Sequence, residues 1–188
     1  SNFTNSMGNA IFHSASSEQF KKFTEIYIDN SKFISTTYEP AYSESGFANT
    51  ESPAGGGDHY GGAIYSQANI LNITNSLIKG NVMSQGDGMM YVVFRGAGIY
   101  ASNNNCINTT FDANQVLGGV MGEGFDKNGA GIYATKNAYV LNSTFINNVV
   151  NKENGGAIYA ESNLIVENSL FSNNKDPKGY SSITFLNR

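Results

Sequence analysis

Asp58-His59 is the one acid–histidine pair in this chain, set in the glycine-rich run Gly55-Gly56-Gly57-Asp58-His59-Tyr60. Histidine can serve as general acid, general base or metal ligand near neutral pH. An adjacent pair with no third partner composes neither a triad nor a ligand set. A lyase acting on acidic polysaccharides would need clustered carboxylates for calcium and a basic group to take a proton. The chain has two arginines, Arg95 and Arg188, and Asp58, Asp87, Asp112 and Asp126 are scattered. Cys106 stands alone, which excludes a disulfide framework within the chain and suits a small buried hydrophobe. Four glycosylation sequons start at Asn2, Asn72, Asn108 and Asn142. No enzymatic activity, metal site or cofactor is therefore expected.

The elements that would position these residues are legible from a repeat, and internal repeats decide the fold when they are present. The copies are Gly8-Asn9-Ala10-Ile11-Phe12, Gly61-Gly62-Ala63-Ile64-Tyr65, Gly96-Ala97-Gly98-Ile99-Tyr100, Gly129-Ala130-Gly131-Ile132-Tyr133 and Gly155-Gly156-Ala157-Ile158-Tyr159. Each is followed by Asn-[Ser/Thr]-x-[Phe/Ile]-x-x-[Asn/Thr], beginning at Asn30, Asn75, Asn108, Asn142 and Asn168. The copies are separated by 53, 35, 33 and 26 residues, yet the first Gly and the Phe or Ile lie 17, 15, 16 and 16 residues apart in copies two to five. A near-constant core with loops of variable length is the pattern of a solenoid.

Between the two signatures lie short alternating segments such as Ile26-Tyr27-Ile28, Leu71-Asn72-Ile73 and Ala138-Tyr139-Val140. Alternation of this kind indicates strand. Three short strands per turn predict an all-β fold, a right-handed parallel β-helix of about six turns. Stacking then aligns Ile11, Ile64, Ile99, Ile132 and Ile158 in one interior ladder. Phe33, Ile78, Phe111, Phe145 and Phe171 form a second, and Ile28, Ile73, Cys106, Val140 and Val166 a third. Asn30, Asn75, Asn108, Asn142 and Asn168 fall at one bend, where Asn tolerates the left-handed conformation and bonds neighbouring backbone. Stacked amides there are expected to bridge successive turns.

Composition agrees. There are 188 residues, 40% hydrophobic and 14% charged, with a net charge of −4. That balance offers no basic patch for nucleic acid, and no apolar run is long enough to span a membrane. One domain over 1–188 is expected. Ser1-Asn2-Phe3-Thr4-Asn5 aligns with Ser169-Leu170-Phe171-Ser172-Asn173, and residues 181–188 look like part of a further strand. These ends read as those of a segment of a longer protein, or of a subunit stacked on others.

The pairing of Gly-Gly-Ala-Ile with Phe-x-x-Asn resembles the repeats of chlamydial polymorphic outer-membrane proteins and of adhesin-like surface proteins of methanogenic archaea and some protists, grouped in the pectin-lyase-like superfamily. Here Gly61–Ile64 and Gly155–Ile158 meet the first motif in full, while Phe111–Asn114, Phe145–Asn148 and Phe171–Asn174 meet the second. Ile78–Asn81 and Phe33–Thr36 depart from it. The resemblance implies a surface-exposed or secreted region that mediates adhesion or forms part of the cell envelope.

Any specific function is expected in the loops, which usually carry binding residues. The insertions run about 37–60, 82–95 and 115–128, all after the Phe-x-x-Asn strand, and so should emerge on one side. Met89, Met90 and Tyr91 in the second, and Val116, Leu117, Met121 and Phe125 in the third, are too apolar to stand in water. Either they pack on each other and on the coil, or they form a partner or subunit interface. Phe12, Tyr65, Tyr100, Tyr133 and Tyr159 align as an aromatic row that either stacks on sugar rings or is covered as ordinary structural stacking. Asn72 should point outward and is the preferred glycosylation candidate.

The expected function is a non-catalytic cell-surface or extracellular structural and adhesive protein, with protein partners or self-association through the solenoid ends, and with glycans as a further partner class. The alternatives are an end-to-end filament or sheath subunit, and a polysaccharide-binding or polysaccharide-degrading β-helix.

Overall fold

The fold follows from one rule of pairing, in which each strand lies beside its counterpart one repeat along. In the computed structural model the described residues are 1–5, 9–14, 21, 24–38, 57–84, 92–118, 127–177, 179 and 182–185. The elements among them are strands, and every strand pairing is parallel. A nine-stranded sheet carries the first signature through Ile11–His13, Ile64–Ser66, Ile99–Ile107, Ile132–Leu141, Ile158–Ala160 and Ile183–Phe185. It also carries the alternating segments Glu25–Asp29, Ile70–Thr74 and Asn163–Glu167. A six-stranded sheet carries the second signature, from Asn2–Thr4 and Lys32–Ile34 to Leu170–Ser172.

Register places like on like. Ile64 pairs with Ile11 and Ile99, Ile132 with Ile99 and Ile158, and Ile158 with Ile183. Phe33, Ile78, Phe111 and Phe145 are wholly buried, and Phe171 packs on the same core. Phe111 and Phe145 stack at 4.5 Å between ring centroids, Phe145 and Phe171 at 4.8 Å. Cys106 sits between Ile73 and Val140 in the third row. Burying each such side chain contributes roughly 1.5–3 kcal/mol, so a narrow interior suffices when every repeat adds three of them.

Left-handed bends recur at three positions of the repeat, one of them the first-signature glycine, Gly61, Gly96, Gly129 and Gly155. Asn30, Asn75, Asn108, Asn142 and Asn168 have φ between 44° and 51°. A second bend, silent in the sequence, falls at Asn5, Ser35, Gly80, Ala113, Asn147 and Asn173, one residue before the end of the second signature. Asn and Gly occupy most of these positions because a side chain at positive φ crowds the following carbonyl.

The ranges 37–60, 82–95 and 115–128, expected as loops, open and close in strands. Thr37–Tyr38, Val82–Ser84, Gln115–Leu117 and Val149–Val150 form a four-stranded sheet. Gly57–Tyr60, Val92–Arg95 and Lys127–Asn128 form a three-stranded one. These strands are two to four residues long, too short to show a period, and only pairing with the neighbouring repeat defines them. They enclose a second apolar cluster of Met83, Phe94, Ala97, Val116, Ala130 and Val150. No helix among the described residues is long and apolar enough to cross a membrane.

Candidate functional site

Three stacks of side chains follow from the register, and they differ in what remains open to solvent. The first is a buried amide ladder. Thr36, Asn81, Asn114, Asn148 and Asn174 close the second signature. The Asn81 amide donates to Oδ1 of Asn114 at 2.8 Å, Asn114 to Asn148 at 2.9 Å, and Asn148 to Asn174 at 2.8 Å. Each of these oxygens also accepts the backbone N–H of the preceding Asn, at 3.2, 3.1 and 3.0 Å. The bridging amides expected at Asn30, Asn75, Asn108, Asn142 and Asn168 therefore belong mainly elsewhere. That bend is exposed, and its amides bond sparsely: Asn108 reaches Asn75 at 3.3 Å and Asn75 reaches Asp29 at 2.8 Å. The reason is burial. An exposed amide has water as an alternative partner, whereas a buried one must find protein.

The second stack is the aromatic row. Phe12–Tyr65, Tyr65–Tyr100, Tyr100–Tyr133 and Tyr133–Tyr159 stack at 4.9, 5.5, 5.4 and 5.1 Å. Tyr65, Tyr133 and Tyr159 are buried, and Phe12 is 66% exposed. Arg95 lies over the rings of Tyr60 and Tyr133 at 5.6 and 5.2 Å. The Tyr133 hydroxyl donates to Glu161, and burial, with that carboxylate beside it, pushes the phenol pKa up. Three of the five rings are thus covered, Tyr100 is half-buried, and Phe12 at the end of the row is open to solvent.

The third stack lies on the outer face of the alternating strands. Tyr27, Asn72, Asn105, Tyr139 and Ile165 share one register row. Tyr27 is 74% exposed and Ile165 53%. Beside this row runs an exposed run of amides: Asn163 donates to Asn137 at 2.8 Å and Asn137 to Asn103 at 2.6 Å. Between the two lies a depression of about 400 Å³ whose walls include Asn137, Tyr139, Ser162, Asn163 and Ile165, and among the described residues no charged one lines it. It is a depression open to solvent and not an enclosed cavity. These five residues do not stand out in the sequence. A signal is nonetheless present, because the middle residue of Ala138-Tyr139-Val140 and Leu164-Ile165-Val166 must face outward when its neighbours face in.

The residues expected at a partner interface separate. Val116 is wholly buried, in register with Met83 and Val150, and belongs to the second apolar cluster of this protein rather than to an interface. Its parity within a paired strand decides this. Leu117, one residue on, is half-buried and pairs with Ser84. Met89, Met90, Tyr91, Met121 and Phe125 lie outside the described residues. Asn72 is half-buried on the outward row, and its Oδ1 accepts the Asn105 amide at 2.9 Å. Asp58 and His59 lie on the strand Gly57–Tyr60, in register with Val93 and Phe94. Among the described residues no group of three His, Cys, Asp or Glu is placed to hold a metal.

Cys106 is wholly buried, and desolvation pushes its thiol pKa up to about 12. Asp29 is exposed. Its carboxyl pKa is lowered by hydrogen bonds from the Thr74 hydroxyl and the Asn75 amide. Compared with known proteins, the sequence and fold match no family model, no curated protein and no solved structure.

Proposed function

We propose that the protein is a right-handed parallel β-helix of about six turns that serves as a non-catalytic structural and adhesive module at a cell surface or outside the cell. The parallel pairing of consecutive repeats supports the winding, because parallel crossover connections are right-handed in nearly all proteins. The observation that carries the adhesive part is the uncharged depression between Tyr139, Ile165 and the Asn137–Asn163 amide pair. An aromatic ring and an aliphatic side chain next to exposed amides match the amphipathic surface of a neutral polysaccharide, whose ring faces are apolar and whose rims are hydroxyls. None of the described residues of the wall offers an ion pair to an acidic polymer.

The test is a retention assay of the protein on neutral and acidic polysaccharides, with the supernatants analysed for released sugars. Retention on a neutral polymer without release supports the proposal. Release of new reducing ends or unsaturated products would overturn the non-catalytic part. Failure to be retained on any polymer would overturn the glycan-adhesive part.

A further inference from the structure

Two Asn-Gly pairs, Asn128-Gly129 and Asn154-Gly155, occupy equivalent corners of successive repeats. Asn-Gly is the sequence most prone to spontaneous deamidation, because glycine leaves its own nitrogen open to attack on the preceding side chain. The fold treats the two pairs differently. Asn128 is 3% exposed, and its Oδ1 accepts the backbone N–H of Asn154 at 3.1 Å. The nitrogen that would attack it, that of Gly129, donates to the carbonyl of Asn154 at 3.2 Å. This bond continues a ladder in which Gly61 donates to Arg95 at 2.9 Å and Gly96 to Asn128 at 3.1 Å. Among the described residues no hydrogen bond engages the Gly155 nitrogen or the Asn154 side chain, and Asn154 is only half-buried.

We infer that Asn154 is a deamidation site of the folded protein and that the fold protects its counterpart Asn128. The Gly155 nitrogen attacks Cγ of Asn154 and loses its proton. A new bond from that nitrogen to Cγ closes a five-membered succinimide as the bond from Cγ to Nδ2 breaks, and ammonia leaves. Water then opens the ring at either carbonyl, giving aspartate or isoaspartate at 154. The balance is one water consumed and one ammonia released, with no change of oxidation state.

The product matters structurally. Asn154 holds the corner of the preceding repeat through two bonds, from its N–H to Asn128 and from the Gly129 N–H to its carbonyl. An isoaspartyl link inserts one methylene into the backbone between that corner and Gly155. It shifts Ile158–Ala160 against Ile132–Leu141, whose register pairs Ile132 with Ile158. The reaction is a built-in ageing step that loosens one corner of the stack and adds one negative charge.

The experiment holds the intact folded protein at mildly alkaline pH and follows Asn128 and Asn154 by peptide mapping, with an isoaspartate assay on each peptide. A parallel sample is held in concentrated urea. In the folded protein Asn154 is expected to convert, and Asn128 to lag roughly tenfold or more, because it reacts only through local opening. In urea the two should convert at comparable rates. Equal rates in the folded protein, Asn128 converting first, or no conversion of Asn154 in the fold while both react in urea would each overturn the inference.

Discussion

The side-chain amide of Asn114 donates to Oδ1 of Asn148 at 2.9 Å, and that same oxygen accepts the backbone N–H of Asn114 at 3.1 Å. One side chain therefore satisfies both polar groups of its counterpart one repeat earlier. Asn114 also donates to the Ile78 carbonyl at 2.9 Å and accepts two bonds from Asn81. Asn114→Ala would leave the Asn81 donors and the Asn148 and Ile78 acceptors short of partners inside the protein. Each buried group so stranded costs about 1–3 kcal/mol. A loss of about 3 kcal/mol or more is expected in urea unfolding. Asn163→Ala, on the exposed run of amides, is expected to stay within about 0.5 kcal/mol.

Gly129 adopts φ +66°, and a Cβ there would lie 2.3 Å from the carbonyl oxygen of Ile132. Gly179 also has positive φ, +80°, but a Cβ there meets nothing within 4 Å. The pair separates backbone strain from collision. Gly179→Ala should cost about 1–2 kcal/mol, the penalty of the left-handed conformation alone. Gly129→Ala should cost about 3 kcal/mol or more, since the collision is with backbone that cannot give way. Thermal or denaturant unfolding of the two variants gives the comparison, and equal losses would contradict it.

Cys106 makes stability fall at alkaline pH. Its folded pKa is raised to about 12 by burial, while an unfolded thiol titrates near about 8.5. Between these values the folded protein keeps a proton that the unfolded one has lost. The thiol's contribution is complete below the unfolded value and diminishes as pH rises, by up to about 1.4 kcal/mol per pH unit. Cys106→Val should remove this part of the slope, because Val140 and Val166 occupy the same row in the following repeats. Urea midpoints measured across the alkaline range for both proteins check it. The folded thiol should also resist labelling until the structure is opened.

Tyr139→Ala and Ile165→Ala together should lower retention on a neutral polysaccharide roughly tenfold, which corresponds to about 1.4 kcal/mol. Folding stability should change little for Ile165, which is 53% exposed, and modestly for the half-buried Tyr139. Retention unchanged in the double variant would move the contact surface elsewhere on the module.

Much of the architecture is legible in two short signatures. A constant interval between Gly129 and Phe145, matched between Gly155 and Phe171, sets the strands that pair, since parallel in-register strands bring identical residues together. The short strands Val82–Ser84 and Gln115–Leu117 are not legible. Neither has a period of its own, and each becomes a strand only beside the other. In the sequence Val116 and Leu117 form one apolar stretch, whereas pairing turns the first inward and the second outward. The groove residues Asn137, Tyr139 and Ile165 are inconspicuous because outward positions carry no common residue type from repeat to repeat.

By itself the sequence determined which residues recur and at what interval, and hence the three interior rows through Ile99, Phe111 and Cys106. Repetition suffices for that, because a row of like side chains packs at every rung once one rung is set. The tertiary structure alone decided that the amide ladder runs through Asn81, Asn114, Asn148 and Asn174 and not through the exposed bend at Asn75 and Asn108. It alone decided that Tyr65, Tyr133 and Tyr159 are covered. Both rows of Asn are equally plain in the sequence. Only the exclusion of water from one of them, set by segments far apart along the backbone, obliges its amides to bond one another.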